Sequence, residues 1–201
     1  MTTSARRGKV EDNLAEKIVD VALAMAETEG WDGVRLRRVA AELCIDMAEI
    51  AARFRDRDAI ANAWFARARA AILAPLPTDF AAAPASERLF VLMMRFLEAL
   101  AAHRTVTVAM LRVKMWPFHP HHWLPMLFEL SRTVLWWRDA AGCDSPPPRR
   151  EIEETALTRL FLATLAVCAN DATAGQQRTR RFLRRCLALT SRGSRAFDIP
   201  P

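Results

Sequence analysis

The stretch Gly33–Phe65, GVRLRRVAAELCIDMAEIAARFRDRDAIANAWF, constrains this chain more than any other. Two short amphipathic runs, Leu36–Leu43 and Met47–Phe54, are separated by only Cys44-Ile45-Asp46, and a third run starts at Arg57. Apolar residues fall at Leu36, Val39, Ala40 and Leu43, then at Ile50 and Phe54. That is the three-and-four spacing of helices with one buried face. Helices joined by so short a turn cross at a steep angle, the helix-turn-helix arrangement.

The residues Glu29-Gly30-Trp31, Leu36, Arg37, Val39, Ala40, Ile50, Phe54 and Ile60 carry a further signal. Over this first third, the chain resembles the DNA-binding module of the Tet-repressor family. There are departures. Cys44 stands where that family usually has the turn glycine, Asp46 where it has Ser or Thr, and Ala51 where it has Tyr. Asp46 can still cap the third helix by accepting a hydrogen bond from an N–H at the helix start. Asp46 and Glu49 also bring negative charge to the surface that would face DNA.

The resemblance implies that the third helix lies in the major groove. Met47, Ala48, Ala52 and Arg53 are then its outward candidates, and Arg53 is the one suited to a base or phosphate. Arg35 and Arg57, at the starts of the second and fourth helices, would fix the register by phosphate contacts. Arg37 belongs to the same local basic cluster, Arg35-Arg37-Arg38. Cluster charge matters because residues 1–74 hold 12 Lys+Arg against 12 Asp+Glu, a neutral head. Phosphate neutralisation normally gives a DNA-binding head a net basic footprint.

At 201 residues with 52% hydrophobic content the chain can bury a core as one domain or two small ones. No apolar run is long enough to span a bilayer, and the first residues lack a signal core, so a cytoplasmic location is expected. Cys44, Cys143, Cys168 and Cys186 are scattered without ligand spacing and read as reduced, mostly buried side chains.

Residues 1–10 read as a flexible basic arm, with a first helix from about Glu11 to Glu29 and Gly30 as its stop. A fourth helix, 57–73, connects the head to the rest until Pro75 and Pro77 end it. Further helices are expected from Pro84, over Val106–Lys114, Trp123–Ala141, Arg149–Ala169 and Thr173–Thr190. The expected fold is all-α with about nine helices. A helix-turn-helix head occupies 1–56, and a helical ligand-binding and dimerisation domain occupies 57–201.

Residues 115–137, MWPFHPHHWLPMLFELSRTVLWW, hold four of the six Trp and three of the four His. An apolar ligand pocket built between helices is expected here. Its candidates are Met93, Phe96, Met110, Met115, Trp116, Phe118, Trp123, Met126 and Leu127, with His122 as a polar contact. Ordinary core packing explains the same apolar residues one by one. His119, His121 and His122 lack acidic or Cys partners at ligand spacing, so neither metal nor cofactor is expected.

The last two helices, 149–169 and 173–190, resemble the pair that forms the dimer interface in Tet-repressor-like proteins. Ile152, Ala156, Leu160, Phe161, Thr164, Leu165 and Cys168 form a wide stripe on the first; Phe182, Leu183, Cys186, Leu187 and Leu189 are expected inward on the second. A homodimer through a four-helix bundle follows. Arg178, Arg180, Arg181, Arg184 and Arg185 flank that stripe and suit a solvated rim or an anionic membrane surface.

No phosphate-binding Gly-rich loop and no nucleophile motif is visible, so an enzyme is not expected. The favoured function is a ligand-responsive transcriptional regulator that binds operator DNA as a homodimer. The alternative is a lipid-binding accessory protein of the ubiquinone-biosynthesis type, similar in fold to the Tet repressor but without DNA binding.

Overall fold

The computed structural model describes residues 2–115 and 120–196, with side chains over 13–115, at 126 and over 128–190. Among the described residues every regular element is helical. These residues form nine α-helices in order: α1 (Thr2–Glu29), α2 (Leu36–Glu42), α3 (Met47–Ala51), α4 (Arg57–Ala70), α5 (Ala85–Ala101), α6 (Arg104–Lys114), α7 (Pro120–Ala140), α8 (Arg149–Ala169) and α9 (Gln177–Ala196). The chain divides into two compact units, Met1–Arg67 with His103–Val113, and Ala68–Ala102 with Lys114–Pro201.

In the first unit, α1 begins at Thr2, so helix takes in the segment expected to be a flexible arm. Gly30 ends it at φ 77°, a conformation that costs a residue without a Cβ little. Trp31 then tucks into the core at 3% exposure. Ile18 and Leu23 of α1, Val39 of α2, Ile50 of α3 and Ile60 of α4 are all buried. Each such side chain contributes about 1.5–3 kcal/mol relative to exposure. Polar links hold the rim: Arg67 pairs with Glu16 and Asp20 on α1, and Trp64 Nε1 donates to Thr107 Oγ1 on α6 at 3.0 Å.

The second unit is centred on α5, which buries Leu89, Phe90, Leu92, Met93, Met94, Phe96, Leu97 and Leu100. Phe96, Trp137 of α7 and Phe161 of α8 form an aromatic cluster with ring centroids 4.9–5.8 Å apart. Arg138, 4% exposed, donates to Glu154 Oε1 at 2.9 Å, Glu153 Oε2 at 3.1 Å and the Cys143 carbonyl at 3.2 Å. A buried guanidinium is tolerated only with such compensation. The start of α9 is organised by Asp171, which is fully buried. Its carboxylate accepts from the backbone N–H and hydroxyl of both Thr173 and Thr179, at 2.6–3.0 Å.

Two expectations for this unit are corrected. Ile152 and Leu189 face outward, at 68% and 65% exposure. Helix α8 is apolar on two sides. The chain itself covers the side carrying Leu157, Leu160, Phe161, Thr164 and Cys168. Ile152 shares the other side with the exposed Leu162, Ala163 and Ala166.

Candidate nucleic-acid interface

The turn between α2 and α3 closes as a helix end with a left-handed residue. The Ile45 N–H donates to the Ala40 carbonyl at 3.0 Å, and the Cys44 N–H to the Ala41 carbonyl at 3.1 Å. This double hydrogen bond goes with a positive φ at the first of the two donors in the chain, and Cys44 sits at φ 53°. Glycine adopts that conformation freely; a side chain there strains it. Ile50 and Phe54, buried beneath the turn, fix which side of α3 faces out.

The outward side carries Ala48, Glu49, Ala51 and Ala52, all exposed, with Met47 at the edge at 46% exposure. Arg53 has a different environment. Its Nη1 donates to the Glu49 carbonyl at 2.8 Å and to Glu49 Oε2 at 2.7 Å. The Arg53 side chain is 19% exposed and that of Glu49 52%, so the carboxylate is the outer member of the pair. Asp46 does not cap α3: its carboxylate is exposed and takes no hydrogen bond from the helix start. The backbone carbonyl of Asp46 accepts the Glu49 N–H instead, at 3.0 Å.

Between the α1–α2 connection and the start of α4 lies an open groove of about 590 Å³ lined by Asp32, Val34, Arg35, Leu36, Arg55, Asp56 and Arg57. Arg57 donates to the Trp31 carbonyl at 2.8 Å and to Asp32 Oδ1 at 3.1 Å, with its guanidinium 5.4 Å from the Trp31 ring centre. It pins the α1–α2 connection to the start of α4. Arg35 turns its Nη1 to the Asp32 and Val34 carbonyls. Asp56 caps α4 by accepting the Ala59 N–H at 2.7 Å. Arg37 is exposed and without an ion pair among the described residues. Arg38 is bound to Glu29, and that hydrogen bond lowers the Glu29 carboxyl below its ordinary range.

Of the residues expected to line an apolar pocket, the side chains of Met93, Phe96, Met110, Met115 and Met126 are among those described. Met93 and Phe96 are buried together in the second unit, whereas Met110 belongs to the core of the first. Met115 is 55% exposed and Met126 half-buried. Trp116 and Phe118, like the side chains of His122, Trp123 and Leu127, lie outside the described residues. Trp137, which the sequence did not single out, and Phe161, expected on the α8 stripe, both pack on Phe96. Trp137 is fully buried, and among the described residues its Nε1–H has no acceptor. Its neighbour Trp136 is 58% exposed; a Trp-Trp pair on a helix does not itself say which ring goes inward. Among the described residues no set of His, Cys, Asp and Glu is grouped to hold a metal, and no helix is long and apolar enough to cross a membrane.

No family model and no curated protein matches this sequence. Solved structures do. The chain is similar to a TetR transcriptional regulator from Nitrosomonas europaea ATCC 19718, with a TM-score of 0.80 and 34% identity, over 89% of this chain and 98% of that one. It shares the fold of a TetR transcriptional regulator from Rhodococcus sp. RHA1 (TM-score 0.60, 16% identity, 86% of this chain and 94% of that one). The fold recurs in Mycobacterium smegmatis AmtR (TM-score 0.51, 20% identity, 93% and 96%).

Proposed function

The chain belongs to the TetR family of transcriptional regulators, and from that premise we propose that it binds operator DNA as a ligand-responsive homodimer. The observation that carries the reading is the α2–α3 turn. Its paired hydrogen bonds persist although cysteine replaces glycine at the left-handed position, and they leave the Ala48–Ala52 face of α3 open. In a two-fold dimer, two such faces lie about one duplex turn apart, roughly 34–36 Å. Arg37 has no ion pair among the described residues and is available to a phosphate, whereas Arg35 and Arg57 would have to share their partners.

The dimer forms through the outer sides of α8 and α9. Ile152, Leu162, Ala163 and Ala166 on α8, with Leu189 on α9, are apolar and exposed in the single chain. A second copy buries such a face in a self-complementary contact. In this reading the effector acts on the second unit, whose interior holds Met93, Phe96, Trp137 and Phe161. An effector regulates only by favouring one arrangement of the dimer over another. The membrane-binding alternative draws less support, because Arg180 and Arg184 are engaged by Glu98 and Glu87 of α5.

The test is selection of genomic duplex fragments by the purified chain over a salt series, beside flotation with anionic liposomes. Sequence-selected fragments whose affinity falls steeply with salt support a regulator. Flotation with no selected fragment overturns it. Leu162→Arg should give a monomer by sedimentation and lose fragment binding.

A further inference from the structure

The outward side of α3 presents a carboxylate where a DNA reader commonly presents a cation. Glu49 is the outer member of its pair with Arg53, and Arg53 Nη1 is held by both the Glu49 carboxylate and the Glu49 carbonyl. The Arg53 side chain is 19% exposed against 52% for Glu49, so the guanidinium lies inboard of the carboxylate it holds. Ala48, Ala51 and Ala52 beside it are short enough for the helix backbone to approach base edges closely.

A carboxylate brought into the major groove meets phosphate repulsion and loses water. It is favourable only where the groove offers a donor. The donors there are cytosine N4 and adenine N6. Adenine carries the N7 acceptor beside its amino group, which repels a carboxylate; cytosine does not. We propose that Glu49, held by Arg53, is the specificity-determining reader of a cytosine N4 amino group in each operator half-site. Arg53 is the positioning residue for that carboxylate and does not read guanine. The proposal rests on the operator-binding reading above. Much of its discrimination comes from disfavouring every other base at that position, since specificity is a difference of affinities.

The experiment is binding-site selection from a randomised duplex pool with the full chain, repeated with Glu49→Gln and Arg53→Ala, and thermal unfolding of each variant. The parent should enrich one cytosine per half-site. Glu49→Gln should lose roughly tenfold of the preference for cytosine, the scale of one base contact, and shift towards adenine, whose N6 and N7 suit a carboxamide. Arg53→Ala should relax the same position without shifting the unfolding midpoint, and Arg53→Lys should restore part of it. Half-sites that conserve a guanine dependent on Arg53, or a cytosine preference untouched by Glu49→Gln, overturn the assignment. Enrichment of no duplex removes the operator reading itself, and this assignment with it.

Discussion

Asp46 and Asp171 each precede a helix, and the chain uses them in opposite ways. Asp171 is fully buried and accepts four hydrogen bonds from Thr173 and Thr179, so its charge is spent inside the second unit. Asp46 is exposed and leaves the start of α3 uncapped by any side chain. Buried polar groups are conformational fixtures because leaving them unpaired is costly. An exposed, unpaired carboxylate at a helix start contributes little to folding and stays available to an outside partner. A helix of only five residues, Met47–Ala51, is thus held by what Ile50 and Phe54 bury rather than by its cap.

The largest effect should come from Asp171→Ala. It strands the buried Thr179 N–H and hydroxyl at once, at a cost of about 3 kcal/mol. For a chain of this size the Tm should fall by roughly 6–12 °C. Asp46→Ala should stay within about 0.5 kcal/mol of the parent. Equal losses in calorimetry would erase the distinction between the two residues.

Acid should sharpen it. Burial works against the Asp171 charge, but the Thr173 and Thr179 hydrogen bonds outweigh it and hold the carboxyl well below the usual range. An unfolded Asp titrates near about 3.9. The stabilisation is therefore complete above that value and fades as the pH falls from there towards the depressed native one. Asp171→Asn should show a flatter decline of Tm than the parent between about pH 4 and pH 2. Parallel curves would mean that this carboxyl does not carry the acid sensitivity.

The turn ahead of α3 offers a smaller, stabilising change. Cys44 holds φ 53°, where a Cβ is crowded by the following carbonyl. Cys44→Gly relieves that strain but gives the unfolded chain more freedom, so the net gain should be about 0.5–1 kcal/mol. A destabilised variant in urea titration would show that the cysteine side chain contributes contacts that outweigh the strain.

The head was largely legible because its helices are amphipathic and its punctuation is local. Val39, Ala40, Ile50, Phe54 and Ile60 repeat at helical spacing, and Gly30, Pro75 and Pro77 mark stops. Legibility declined wherever a side chain's role depends on something distant. Nothing near Asp171 says that Thr179, eight residues on, will lend it two donors. Ile152 and Leu189 read as inward because they are apolar, yet a helix apolar on two sides hides only the one its own chain reaches. Glu49 and Arg53 lie in between: a Glu four residues before an Arg is a recognisable helical pair, but Arg53 taken alone reads as a free cation. That pairing changes the meaning of the interface without altering the fold around it.

The smallest effect is therefore the most telling. In a double-mutant cycle on Glu49 and Arg53, read by unfolding without DNA, the coupling should be only about 0.3–0.5 kcal/mol, as for a pair one helical turn apart whose carboxylate remains in solvent. A pair so weakly coupled to folding contributes little to stability, so the carboxylate it positions serves recognition. A coupling above about 1 kcal/mol would exceed that range for exposed pairs. Glu49 would then resemble Asp171, a carboxylate committed to the fold, and Asp46 would be left as the acidic group of α3 free to meet a base.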